Sequence, residues 1–190
     1  RHALDGAALL AAAARPDWPP ETIADRPLGV VHASLLRLRA ATFGPRIDAH
    51  ADCRHCGERL AFTLDVNVLL QDAQDDGPDH AEVAGLQVRA PSLRDLAAVA
   101  TLSAERATRA LLARCTLAGQ ADTLDDAARQ QVEQALEALD PQADCALALR
   151  CVACDQDGTA QLDAAALLWD EIAVRAQALL REVLQLASHY

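Results

Sequence analysis

The chain has 190 residues, 52% hydrophobic but only 3% aromatic, with a formal net charge of −11 when histidine is neutral. That length suits a single domain with its own core, and so acidic a balance argues against nucleic-acid binding, which needs a basic face. No apolar run reaches the ~18 residues of a membrane span, and all 17 basic residues are arginine, as GC-rich bacterial coding favours.

In chain order, Leu4 to Ala14 is an Ala/Leu helix ended by Pro16, Pro19 and Pro20. Trp18, in the turn that follows, is either a packing lid or an exposed contact. A second helix is predicted from Pro27 to Thr42, with Leu28, Val31, Leu35, Leu38 and Ala41 along one stripe. Pro27 suits its first turn and Gly44 its stop. Arg37 and Arg39 lie off that stripe, and solvent is their expected place. A β-hairpin comes next, built from 46–52 and 59–66, and then a short helix over Val66–Ala73. The acidic stretch Asp75-Asp76-Gly77-Pro78-Asp79-His80 is read as a loop, since it lacks the spacing and closing Glu of a calcium site.

Gly85 to Pro91 reads as a strand. Ser92 caps the helix after it, with Asp95 in the capping-box position; a further helical segment runs from Ser103 to Cys115. Cys115, among Leu111, Leu112 and Leu117, is expected to be a buried small apolar residue. Thr116 to Thr123 is a loop, Asp125 to Leu139 a helix, and Asp140-Pro141 its end. A second hairpin spans 144–163. A long helix over 163–189 closes the chain, with Leu167, Leu168, Ile172, Leu179, Val183 and Leu186 on its stripe and Trp169 beside it.

The pattern that organises these elements is a pair of C-x2-C steps, Cys53-Arg54-His55-Cys56 and Cys151-Val152-Ala153-Cys154, each at the tip of a hairpin. Two thiolates at that spacing form half of a tetrahedral zinc shell, and a second half completes it. A plain zinc ribbon has roughly 15–20 residues between its halves. Here 94 lie between Cys56 and Cys151, so the ribbon is split by a long insertion. The expected metal ligands are therefore Cys53, Cys56, Cys151 and Cys154, holding one structural Zn2+ per chain. Four sulfurs leave no open coordination position for a substrate.

Thioredoxin-type dithiols use one pair at the start of a helix, which neither pair here does. Disulfides suit an exported protein, and a C-x2-C disulfide is strained. Six cysteines with two metal-type pairs, and Cys115 and Cys145 left over, fit a reducing, cytoplasmic compartment. No phosphate loop, nucleophile elbow or His-Glu-x-x-His occurs. His50 and His55 flank the first pair and are read as supporting or surface residues, since cysteines already fill the shell. His80-Ala81-Glu82 matches the His-x-Glu step of cytidine deaminases, but those enzymes need an open three-ligand metal and a Pro-Cys step, absent from both pairs. No catalytic constellation is left, so an enzyme is not expected.

Several blocks in order carry a resemblance. They are Thr42-Phe43-Gly44-Pro45-Arg46-Ile47-Asp48 leading into Cys53 to Leu60, then Val88 to Leu96, then Asp140 through Cys154 with Leu168-Trp169-Asp170-Glu171-Ile172. Together they resemble a family of zinc-knuckle proteins of contractile phage tails and phage-tail-like injection systems, similar to T-even-type baseplate hub assembly chaperones. Relatives follow the second pair with Gly; Asp155 stands there in this chain. The resemblance implies a non-enzymatic assembly role, with other tail or baseplate proteins as partners and incorporation in the particle as one fate. From another class, a thiol-based redox or zinc-responsive switch would use the same cysteines by releasing metal on oxidation.

The expected architecture is α+β: a mainly helical body in one domain, a split zinc ribbon from 46–66 and 144–163, a helical insertion over 67–143, and the long C-terminal helix. The partners expected include no nucleic acid and no membrane.

Overall fold

The computed structural model of the chain describes residues 3–71, 73, 78–121 and 124–189. Helix α1 (Ala3–Ala14) packs against α2 (Leu28–Phe43), with a short 3-10 helix at Pro20–Asp25 between them. Trp18 is a lid: it is buried, with the guanidinium groups of Arg15 and Arg26 at 4.5 and 5.0 Å from the ring centre. Gly44 ends α2 at a φ of +94°, where a side chain would be strained.

The chain then forms the antiparallel pair β1 (Arg46–Asp52) and β2 (Arg59–Asp65), followed by one helical turn, α3 (Val66–Leu69). Beyond it lie β3 (Ala81–Val83), β4 (Leu86–Val88), α4 (Leu93–Val99), α5 (Ala104–Cys115), β5 (Thr116–Ala118) and α6 (Asp126–Leu139). A second antiparallel pair, β6 (Ala146–Arg150) and β7 (Asp157–Gln161), leads into α7 (Ala164–Ala187). Helix and small antiparallel sheets are thus mixed in one chain.

The segment between the hairpins is not purely helical. Strands β3, β4 and β5 form a three-stranded antiparallel sheet, so part of the loop expected at Thr116–Thr123 is a strand. Three-residue strands are too short for alternation to register in the sequence. Of the remaining loop assignments, Asp75-Asp76-Gly77 and Asp122-Thr123 lie outside the described residues. Leu86 and Val88 from β4 pack with Val132 of α6 in a small second core, joined at its edge by Leu112 and Leu136.

The main core gathers Leu10, Ala11, Val31, Leu35, Leu36, Ile47, Val66, Leu93 and Leu168 from both ends of the chain. Asp95 of α4 is buried where that helix meets α5. Its side chain completes the Ser92 capping box and also accepts from Arg89 at 2.6 Å and Arg114 at 2.9 Å. Burial opposes its charge, but hydrogen bonds from Arg89 and Ser92 outweigh that and hold the carboxyl well below the usual range.

One expectation fails on α2. Arg39 is buried, not solvated: its guanidinium meets Glu171 of α7 through two bonds of 2.9 and 2.6 Å and also donates to the carbonyls of Gly44 and Arg46. A planar fork with five donors can satisfy a carboxylate and two backbone carbonyls at once. The partner is 132 positions away, so no local pattern announces it. Helix α7 itself is anchored only at its start. Ala164 and Leu168 are buried, whereas from Ala173 to His189 every residue except Ala178 is exposed. Among the described residues no helix is long and apolar enough to cross a membrane.

Candidate metal centre

Both hairpins end in the same turn. Asp52 pairs with Arg59 and Arg150 with Asp157, each pair closing a six-residue loop that begins with cysteine. In the first loop the Cys53 amide donates to the Glu58 carbonyl at 2.8 Å, and the Gly57 amide to the Cys53 carbonyl at 2.9 Å. In the second the Cys151 amide donates to Gln156 at 2.9 Å, and the Asp155 amide to Cys151 at 2.8 Å. The residue after the second cysteine has positive φ in both, 76° at Gly57 and 58° at Asp155. Asp replaces the expected Gly without changing the turn, because Asp tolerates the left-handed region better than most side chains. Its carboxylate is also held by Arg150 through two 2.7 Å bonds.

These turns bring four thiols together. Cys53 Sγ lies 3.7 Å from Cys154 Sγ, Cys56 Sγ lies 3.6 Å from Cys151 Sγ, and all four sulfurs are within 4.8 Å of one another. A tetrahedron with metal–sulfur bonds of ~2.3 Å has sulfur–sulfur edges of ~3.8 Å, so the cluster is close enough to hold a metal ion. All four cysteines are free of disulfide bonds. Cys151 is buried and Cys56 exposed, with the other two between. Ala51, Leu60, Ala148 and Leu149 line the cleft beside the sulfurs.

The turn backbone prepares the thiolate form unevenly. Amides of Cys56 and His55 point at the Cys53 sulfur and pull its pKa down to about 6. At Cys154 the Gln156 amide favours the thiolate, but desolvation and the sulfurs of Cys56, Cys151 and Cys53 outweigh it and push the thiol up to about 12. Crowded thiols cannot all ionise without a cation among them; a divalent metal supplies that charge.

The remaining candidates fall elsewhere. His50 and His55 are exposed and stay outside the cluster, as do His80 and Glu82. Cys115 is fully buried, with burial raising its thiol to about 11, which suits a packing residue. Among the described residues, no other group of three or more His, Cys, Asp or Glu side chains is close enough to hold a metal.

Each hairpin is fixed to the body by a device the sequence hid. Ile47 sinks into the main core beneath the first, and Arg39 holds the backbone where that hairpin starts. The second hangs from residues 140–145. Asp140, which is buried, accepts from the Gly29 amide at 2.8 Å; Gln142 donates to the Leu69 carbonyl at 3.0 Å, and its own carbonyl meets His32 Nδ1 at 3.1 Å. A side chain at position 29 would collide with the Asp140 carboxylate and come within 2.8 Å of the Gln142 backbone. A lone glycine near the start of a helical pattern was the available signal for that close approach.

Comparison of the chain with family models, with curated proteins and with solved structures yields no match.

Proposed function

We propose that Cys53, Cys56, Cys151 and Cys154 hold one structural zinc ion and that the two hairpins form a split zinc ribbon. The observation that carries this reading is the cross-hairpin packing of the sulfurs, at 3.6 and 3.7 Å, the edge length a four-thiolate shell requires. Thiolate-only ligation in tetrahedral geometry selects zinc or iron. With all four positions taken by protein, the metal's part is to join chain segments, and the chain acts through its surfaces as a non-enzymatic protein. The ordered sequence blocks that resemble zinc-knuckle proteins of contractile tails supply the context: assembly of a phage tail or phage-tail-like injection system, through contacts with baseplate or hub components in the bacterial cytoplasm.

The test is metal content per chain on protein purified without added metal. One zinc per chain, lost together with thermal stability on chelation, is expected; metal-free protein with the pairs oxidised overturns the reading. Capture of baseplate or hub proteins encoded beside it then tests the assembly role, and no capture of any of them rejects it. The exposure of Cys56 favours one second reading, a thiol switch. Rapid zinc release on mild oxidation, reversed by reductant, would select it.

A further inference from the structure

From Trp169 onward α7 is amphipathic in a particular way. Trp169, Ile172, Ala176, Leu179, Val183 and Leu186 repeat at alternating steps of three and four, the spacing of a coiled-coil seam. Its beginning rests on the body, where Ile172 packs at the edge of the main core. The same stripe then continues into solvent, with Val183 60% and Leu186 64% exposed, flanked by Leu180 at 64%. Single exposed apolar residues need no explanation, but a continuous stripe does.

The charges beside the seam specify what can cover it. Ile172, Leu179 and Leu186 fall at the d positions of the repeat and Trp169, Ala176 and Val183 at a. That assignment puts Arg175 and Glu182 at successive g positions, with Ala173, Leu180 and Ala187 at e. In a parallel, in-register pair g faces e of the next heptad, and both charges would meet apolar residues. In an antiparallel pair g faces g, and Arg175 of each helix meets Glu182 of the other, twice. The same register stacks Trp169 on Leu186, Ile172 on Val183 and Ala176 on Leu179, each layer occurring twice about a two-fold axis. A small residue then faces a large one in the central layers, and the two bodies lie at opposite ends. Asp170 and Arg181 point away from this seam, and Glu171 is already engaged by Arg39.

We propose that α7 is a homodimerisation helix and that a second copy of this chain packs on it antiparallel through the seam from Trp169 to Leu186. The interface is isologous, as a closed two-fold dimer requires, and uses none of the four thiols.

Sedimentation equilibrium of the full chain as purified, in reductant so that no intermolecular disulfide mimics association, tests this directly. A monomer–dimer equilibrium is expected. Val183→Glu should weaken it at least about a hundredfold by placing two carboxylates in the seam. Arg175→Glu should weaken it about tenfold, and the double swap Arg175→Glu with Glu182→Arg should restore it to within about twofold. Circular dichroism checks that each variant, altered only at an exposed position, keeps its helix. A monomer at every attainable concentration overturns the proposal and leaves the stripe to a different protein. So does a dimer indifferent to Val183→Glu, or a double swap that fails to rescue, which would mean another surface or a parallel pairing.

Discussion

The hairpin that carries Cys53 and Cys56 has seven residues in each strand and sinks Ile47 into the main core, whereas the one that carries Cys151 and Cys154 has five and buries Cys151 itself. Their six-residue tips nevertheless follow one backbone path, down to the positive φ after the second cysteine. Similarity is confined to the part that aims sulfur atoms. Everything that fastens a hairpin to the body differs, with an arginine fork under the first and a buried carboxylate under the second. The proposed four-thiolate shell would dictate the tip, because each half must present two sulfurs at a set spacing; it would place no demand on the stem.

The strongest way to break the comparison is to remove one sulfur from each tip. Cys56→Ser and Cys151→Ser should both abolish metal retention and lower the melting temperature by ~10 °C or more, since structural zinc contributes several kcal/mol to such folds. If exposed Cys56 proved dispensable while buried Cys151 did not, the tips would not share a site. The stems come next. Arg39→Met removes the fork under the first hairpin and should cost about 3 kcal/mol in urea unfolding, because Glu171 and two carbonyls lose their donor. Gly29→Ala acts on the second stem alone, forcing Asp140 aside, for about 2 kcal/mol. Unequal loss of amide protection in the two hairpins would show that the stems are separate devices; equal loss would mean that they unfold together. The smallest effects lie in the tips' own backbone. Gly57→Ala should cost about 1 kcal/mol at its φ of 76°, whereas Asp155→Gly should leave the melting temperature nearly unchanged, relief of strain offsetting loss of the exposed Arg150 pair. Thermal melts of the two variants side by side check the contrast.

What could be read in the sequence follows from how local each cause is. C-x2-C between alternating residues, Ser92 with Asp95 three positions on, and Pro27 opposed to Gly44 are signals that live within a few residues, and the structure has a hairpin, a capping box and a helix at those places. That the four thiols converge was legible only because one pair cannot complete a shell. Arg39 was assigned to solvent because a charged residue beside an apolar stripe is normally exposed, and its carboxylate partner lies in another helix. Strands β3 and β5 were hidden by brevity. The exposure of α7 was left open for the opposite reason: its apolar periodicity is clear, but periodicity reports that a face seeks a partner, not that the partner is in the same chain.

The distance between the two halves of the centre also orders events during synthesis. Cys53 and Cys56 leave the ribosome 95 positions or more ahead of the cysteines that face them, which at ~5–20 residues per second is a wait of roughly 5–20 s. Glu171, which closes over Arg39, follows later still. For that interval the first tip offers only two of the four thiols, and an ion held there would be open to exchange with any other chelator. If the four thiols hold a metal as proposed, both hairpins are needed to close the shell, so metal retention would double as a completeness check: a product truncated before Cys151 supplies only two of the four sulfurs.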